Sequence, residues 1–195
     1  PLHGARSYLA LDGGVDVPLV LGSRATLLSA QLGGLDGRAL RRGDLISCQL
    51  RAPLRPLALA APSLSSLIRV LAGPQWQNEA MANWRIGAKS NRMGLQLNGN
   101  KVLLQIPIEM ASQAVFAGTI QLPPDGLPII LMADAQTTGG YPIIAQVIQA
   151  DLWRLAQLRA GDALQLQLVD VASAIAALQA QRQWLARMHK LIQQF

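Results

Sequence analysis

What this chain has little of narrows its identity first. It holds a single cysteine, Cys48, among 195 residues, so no intrachain disulfide and no cysteine-rich zinc site can form, and a reducing compartment suits it. The two histidines, His3 and His189, stand near opposite ends and have no partner at metal-ligand spacing, so no metal site is expected. Charge is scarce as well, at 14% of residues against roughly 25% in an average soluble domain. A chain this poor in charge and 51% apolar either builds an unusually large core or covers part of its exterior with other protein chains. We expect the second. No apolar run approaches the ~20 residues that span a bilayer, and no charged-then-apolar leader opens the sequence, so a cytoplasmic location without a membrane role is expected.

Seventeen basic residues against eleven acidic ones give a formal net charge of +6, a balance that in principle attracts nucleic acid. The pattern argues otherwise. The arginines are scattered, Arg41-Arg42 is the only tight pair, and no basic stripe is interleaved with aromatics on which bases stack.

What the chain does have is glycine punctuation and short apolar segments. Arg6 to Leu11 reads as a strand, and so does Leu45 to Leu50, with glycines between them at turn spacing. Residues 52–66, rich in Pro, Ala, Leu and Ser, read as a linker. Beyond it come candidate strands at Ile68 to Leu71, Trp84 to Gly87, Gly94 to Leu97, Gly118 to Leu122, Pro128 to Met132, Ile143 to Ile148 and Ala163 to Val169. Such regular short strands predict a mainly β fold with a closed or sandwiched sheet. Asp151 is placed to cap a short helix over Leu152 to Leu158, although one helix from Pro142 to Leu158 also fits the apolar spacing. Val171 to Gln193 forms an amphipathic helix, its stripe made by Ile175, Leu178, Leu185, Met188 and Ile192 and suited to packing on a sheet or partner.

Three polar clusters carry the candidate chemistry. Lys89-Ser90-Asn91-Arg92-Met93-Gly94 combines cations, small donors and a glycine, a set able to hold a phosphate or carboxylate. The second spans Gly118 to Gly126. Its Pro123-Pro124-Asp125-Gly126 is foremost a turn, whereas Gln121 alternates with Ile120 and Leu122 and, as an amide inside a barrel, needs a partner or ligand. The third, Ala133 to Pro142, follows a strand and packs Asp134, Gln136, Thr137, Thr138, Gly139, Gly140 and Tyr141 into one loop. Asp134 is its only carboxylate and the candidate general base, and the Thr137 to Gly140 amides are candidates for an anion-binding nest. A nucleophile with its activating histidine and a Gly-x-x-x-x-Gly-Lys phosphate loop are both absent from the sequence.

Several of these segments together resemble one family. They are Arg6 to Ala10 with Gly13-Gly14-Val15-Asp16-Val17-Pro18 and Leu21-Gly22-Ser23, then Ser90 to Gly94, Gly118 to Gln121 and Asp134 to Pro142. The chain is similar to the biotin-dependent carboxyltransferase-like family often labelled allophanate hydrolase subunit 2, and within it to the C-type component of bacterial ATP-dependent 5-oxoprolinases. The resemblance implies a cyclophilin-like β-barrel with the C-terminal helix. It divides the chain into residues 1–51, the end of an incomplete first β subdomain, the linker 52–66, and residues 67–195 as the second, barrel subdomain. Further residues are expected upstream, and the interval from Gly73 to Trp84 is shorter than the family pattern.

The same resemblance implies sister subunits A and B as partners, a small lactam as substrate, and ATP as co-substrate for opening 5-oxoproline to glutamate. Asp134 is then the catalytic candidate, with Ser90, Asn91, Arg92, Gln121, Gln136, Thr137, Thr138, Gly139, Gly140 and Tyr141 binding substrate or phosphate. Two alternatives stay open. One is a non-enzymatic regulatory protein of the kinase-inhibitor-antagonist type, and the other is a carboxyltransferase that uses carboxybiotin.

Overall fold

A computed structural model describes residues 4–11, 13–48, 62, 64–104 and 110–193. The chain divides into two compact units, one formed by residues 8–58 and the other by residues 1–7 with 59–195.

The unit of residues 8–58 is loop-rich. Its regular structure is β1 (Thr26–Leu27) paired antiparallel with β2 (Leu32–Gly33), plus isolated bridges such as Val15 to Cys48. Val17 is its one buried hydrophobic among the described residues, while Leu19, Leu21 and Leu45 stand exposed. The expected strand over Arg6 to Leu11 does not form. Tyr8 and Leu9 lie open to solvent, and an apolar run without a neighbouring strand gains no ladder to fix it. In the Leu45 to Leu50 segment only Cys48 makes a bridge, and residues 49 and 50, like most of the expected linker 52–66, lie outside the described residues.

In the larger unit seven strands close into a barrel. In chain order its strands are β3 (Leu67–Ala72), β4 (Asn83–Ile86), β5 (Gly94–Asn98), β7 (Thr119–Gln121), β8 (Ile129–Leu131), β10 (Ile143–Val147) and β11 (Ala163–Leu168). Around the barrel they run β10-β3-β11-β4-β5-β8-β7, and β7 pairs back with β10. Only β3 and β11 are parallel; every other barrel pair is antiparallel. The pleat explains the sequence pattern. Alternating residues of β3, β4, β5 and β11 turn inward, so Ile68, Val70, Trp84, Ile86, Leu95, Leu97, Leu164 and Leu166 are buried in one core with Ile120, Ile130 and Ile144. Trp84 satisfies its indole N–H on the carbonyl of Ala80 at 2.9 Å, which makes full burial tolerable. The expected mainly β barrel with a C-terminal helix is the architecture observed.

Connections follow local chemistry. Gly126 closes the Pro123 to Gly126 turn at φ +76, where a Cβ would be strained, and Asp125 Oδ1 accepts from Leu127 N at 3.0 Å. Outside the barrel, β6 (Gln113–Ala114) and β9 (Thr138–Gly139) form a small antiparallel ribbon. The segment before β11 is strand first and helix second, with α1 limited to Leu152–Leu155.

Asp151 does not cap that helix. Its carboxylate instead accepts from Arg69 N at 2.9 Å, Arg69 Nε at 2.9 Å and the terminal guanidinium nitrogen of Arg69 at 2.7 Å, and Arg154 lies 3.4 Å away. A buried carboxylate needs several donors, and Arg69 on β3 supplies three where the first helical turn would supply one or two. α2 (Val171–Gln193) starts at Asp170, whose Oδ1 accepts from Ser173 N at 2.8 Å. It rests lightly on the barrel: Gln181 donates to the Ala150 carbonyl at 3.1 Å, yet no α2 residue is buried and Ile175, Leu185 and Ile192 are exposed. The apolar stripe is therefore present and only partly covered: Leu178 and Met188 are half-buried while Ile175, Leu185 and Ile192 stay exposed. No helix among the described residues is long and apolar enough to cross a membrane.

Candidate functional site

The outer face of the barrel over β5, β8 and β7 carries the candidate site. In register, Gln96 on β5 lies opposite Ile129 on β8, and Ile129 lies opposite Gln121 on β7. The three outward side chains therefore form a row across three adjacent strands, two carboxamides flanking one isoleucine. This row floors a cleft of about 190 Å³, walled by Lys89 and Asn91 on one side and by Gln136 and Tyr141 on the other. Drug-sized sites run from roughly 300 to 1,000 Å³, so this cleft by itself matches a molecule of a few ring atoms, and it adjoins a second cleft of about 410 Å³ that shares Lys89, Gln96 and Ile129.

Two loops are zipped together at its rim. Met132 N donates to Met93 O at 2.9 Å and Asp134 N to Arg92 O at 3.1 Å, which extends the β5–β8 ladder into both loops. Arg92 then grips Asp134 with both arms of its fork, Nε to Oδ2 at 2.6 Å and a terminal nitrogen to Oδ1 at 3.1 Å. The hydrogen bond from Arg92 holds the Asp134 carboxyl below its ordinary value against the opposing effect of burial, with the charges of Arg92 and Arg6 adding to the lowering. With side chains 73% and 44% exposed, this pair contributes little to stability.

The remaining predicted residues have definite places. Asn91 Oδ1 accepts from Met93 N at 2.8 Å and Gly94 N at 3.3 Å, and Ser90 Oγ accepts from Gln96 N at 3.0 Å. Both side chains fix the turn that presents Lys89. Thr138 and Gly139 are extended strand paired with Ala114 and Gln113, and Val115 N donates to Thr137 O at 2.9 Å. Neither Gly139 nor Gly140 has the positive φ that one arm of an anion nest requires, so the expected nest is replaced by a paired ribbon. The cleft thus unites Asn91, Gln121, Gln136 and Tyr141, places Arg92 and Asp134 in the adjoining loops, and leaves Ser90, Thr137, Thr138, Gly139 and Gly140 in supporting roles.

Gln121 is the anomaly. It is 2% exposed, and its carboxamide makes no hydrogen bond among the described residues. A buried polar group left unsatisfied costs about 1–3 kcal/mol, so its retention needs a reason. Contrary to expectation it does not point into the barrel, because Ile120 and Leu122 occupy the core and the pleat sends Gln121 outward beneath the ribbon. Gly139 makes room for it: a Cβ there would lie 2.5 Å from Gln121 Nε2.

Sequence reasoning undervalued Lys89 and missed Gln96. The signal for Gln96 was available, since it alternates with the buried Leu95 and Leu97 as Gln121 does with its neighbours. A larger cavity of about 850 Å³, lined by Arg6, Ser65, Trp153, Arg154 and Arg159 among others, holds none of the predicted residues. Arg6 donates to the Ala156 carbonyl and Arg159 lies 3.7 Å from Asp162, while Arg154 pairs with Asp151 at 3.4 Å and leaves its Nε without a partner. The candidate site is the cleft that holds Asn91, Gln121, Gln136 and Tyr141. Among the described residues no group of three or more His, Cys, Asp or Glu is arranged to hold a metal.

Comparison with known proteins agrees with this architecture. The family described as carboxyltransferase domain, subdomain A and B, matches residues 1–168. The chain belongs to this carboxyltransferase domain family. Among its relatives, the 5-oxoprolinase C component of Escherichia coli is 37% identical over 96% of this chain and 64% of its own length. That of Haemophilus influenzae is 41% identical over 88% of this chain and 58% of its own length. The chain thus spans about six-tenths of these curated relatives. Among solved structures, the K. lactis urea amidolyase superposes with a TM-score of 0.76 at 29% identity, covering 93% of this chain and 13% of that protein. This carboxyltransferase-family barrel is accordingly shared by proteins named for different reactions.

Proposed function

We propose that this chain supplies the lactam-binding part of an ATP-dependent 5-oxoprolinase, working in an assembly with sister subunits A and B. The observation that carries the reading is the cleft itself: small, with Lys89, Asn91, Gln96, Gln121, Gln136 and Tyr141 set around an apolar surface of Met93, Ile129 and Leu131, and without an activated nucleophile. Identity of 37% and 41% to proteins named as the C component of 5-oxoprolinase supports it.

A five-membered lactam resists hydrolysis because its amide is resonance-stabilised and its leaving nitrogen is poor. Transfer of the terminal phosphoryl group of ATP to the lactam oxygen makes the ring carbon a better electrophile, water adds there, the ring C–N bond breaks, and glutamate, phosphate and ADP result after a second water cleaves the acyl phosphate. ATP is the phosphoryl donor, bound by this chain or by a sister protein of the assembly. Within the cleft, Asn91, Gln136 and Tyr141 offer donors to the ring and its carboxylate. Asp134, kept ionised by Arg92, is a weak base and acts as a positioning residue that aims the guanidinium at developing negative charge. Ser90 and the Thr137 to Gly140 stretch hold the two walls.

Similarity to urea amidolyase supports a second reading, carboxyl transfer from carboxybiotin to a urea-like acceptor in the same cleft. The two separate experimentally. ADP release that depends on 5-oxoproline, from the full-length chain reconstituted with its sister subunits, supports the lactamase reading, whereas binding of a biotinylated carrier domain without such turnover supports the other.

A further inference from the structure

We infer that the Gln121 carboxamide is the group that reads the lactam, pairing edge to edge with the ring's –NH–C(=O)– unit. This rests on the reading of the cleft as a lactam site, and deepens it by naming the residue that determines specificity.

Three observations converge on Gln121. It is 98% removed from solvent, and its Nε2 is buried without a hydrogen-bond partner, closed off against Gly139. It lines the small polar cleft. It also stands in the Gln96–Ile129–Gln121 row, whose strand register fixes its backbone on both sides.

The chemistry of the ring does the rest. Closure into five members forces the amide to be cis, so the lactam N–H and C=O lie on the same side. A primary carboxamide also presents an N–H and a C=O side by side. The two edges are complementary: the Gln121 amide donates to the lactam oxygen, and the lactam N–H donates to the Gln121 oxygen. An open-chain trans amide places its two groups on opposite sides and satisfies only one of these bonds. A carboxylate at this position would leave the lactam oxygen bare, and an aliphatic side chain would serve neither group.

Because a carboxamide's nitrogen and oxygen are nearly the same size, half a turn of the amide presents either end to the cleft. Ligand binding turns it away from Gly139 and satisfies both ends. Lys89, on the cleft wall and without an ion-pair partner among the described residues, is placed for the ring carboxylate.

The test uses the assembly reconstituted from the full-length chain and its sister subunits. Gln121→Met keeps the volume and removes both hydrogen bonds, so KM for 5-oxoproline is expected to rise roughly 5- to 100-fold, with kcat less affected. The melting temperature of the variant is expected to hold or rise, since an unsatisfied buried amide has been removed. A glutamine of purely structural use would give the reverse, a lower melting temperature and an unchanged KM. Gln121→Glu, which keeps the acceptor and loses the donor, is expected to fall between wild type and Gln121→Met. A lactone analogue with oxygen in place of the ring N–H should compete more weakly than the lactam against wild type, and equally well against Gln121→Met.

Unchanged KM in Gln121→Met with turnover intact overturns this inference and leaves the proposed function standing. Absence of 5-oxoproline turnover in the wild-type assembly overturns the proposed function instead. In that event, titrating the isotopically labelled chain with 2-pyrrolidinone decides for Gln121: movement of its side-chain amide resonances supports a reader of cis amides, and no movement overturns it.

Discussion

Replacing Asp151 by asparagine is expected to destabilise the barrel unit by about 3 kcal/mol. The carboxylate is fully buried and accepts three hydrogen bonds from Arg69, at 2.9, 2.9 and 2.7 Å, which tie β3 to the turn before α1. Asparagine has the same shape but only one acceptor oxygen, and its NH₂ would face guanidinium donors. Removing one partner of a buried ion pair generally costs about 3–5 kcal/mol. Here Arg69 is 30% exposed, so water recovers part of its solvation and the lower end applies. For a chain of this size the melting temperature should fall by roughly 6–12 °C.

Urea unfolding followed by tryptophan fluorescence measures the change, with the buried Trp84 reporting on the core. The pH dependence gives a second check. Burial pushes the Asp151 carboxyl up, but the bonds and charge of Arg69 outweigh it and hold the group below its ordinary value. The pair's contribution is therefore present in full above the unfolded value near pH 4, and it is lost as pH falls through the depressed folded value. The gap between wild type and variant should narrow accordingly below about pH 4. A loss under about 1 kcal/mol, or a gap that stays constant as the pH is lowered, would show that the Asp151–Arg69 pair does not hold these elements together.

Other perturbations follow from the same geometry. Arg92→Ala and Asp134→Ala should each leave stability little changed, because the pair is exposed, while lowering kcat/KM at least about tenfold in the reconstituted assembly. A large stability loss with normal turnover would contradict the orienting role. Gly139→Ala should push the Gln121 amide from its place and raise KM with little change in melting temperature, since the new Cβ would lie 2.5 Å from Nε2. In the unit of residues 8–58, Arg38 binds both oxygens of Asp44 at 2.8 and 3.0 Å, and Arg41 N adds a third bond at 2.7 Å. These bonds lower the Asp44 carboxyl to about 2, so the stabilisation they give is complete above about pH 4 and disappears as pH falls toward about 2. Titration of the Asp44 carboxyl carbon by NMR checks this, and an ordinary midpoint near about 4 would contradict it.

The barrel was legible where the pleat imposes a period of two. In β3, β4, β5 and β11 one residue in two is buried, and the sequence alternates with it. What sequence could not show was partnership at a distance. Asp151 precedes a helix and so looks like a cap, but its true partner Arg69 is 82 residues away and is visible only once β3 and the α1 turn are side by side. The run from Arg6 to Leu11 has strand-like residues and no strand to pair with. Gln121 was conspicuous as a polar residue between two apolar ones, yet which face it took depended on which neighbours filled the core. The Gln96–Ile129–Gln121 row is a product of register alone, which no local pattern encodes. The clustering of Asp134 to Tyr141 was visible directly, although its two glycines serve a paired ribbon and close approach to Gln121 instead of an anion nest.

Lactam binding at this cleft is tested most directly by ADP release from the full-length chain reconstituted with its sister subunits, measured with and without 5-oxoproline. ADP formation should depend on the lactam, be matched by glutamate, and weaken in KM when Gln121 is replaced by methionine. ADP release indifferent to 5-oxoproline, or none at all from a correctly assembled complex, would contradict a lactam-opening role.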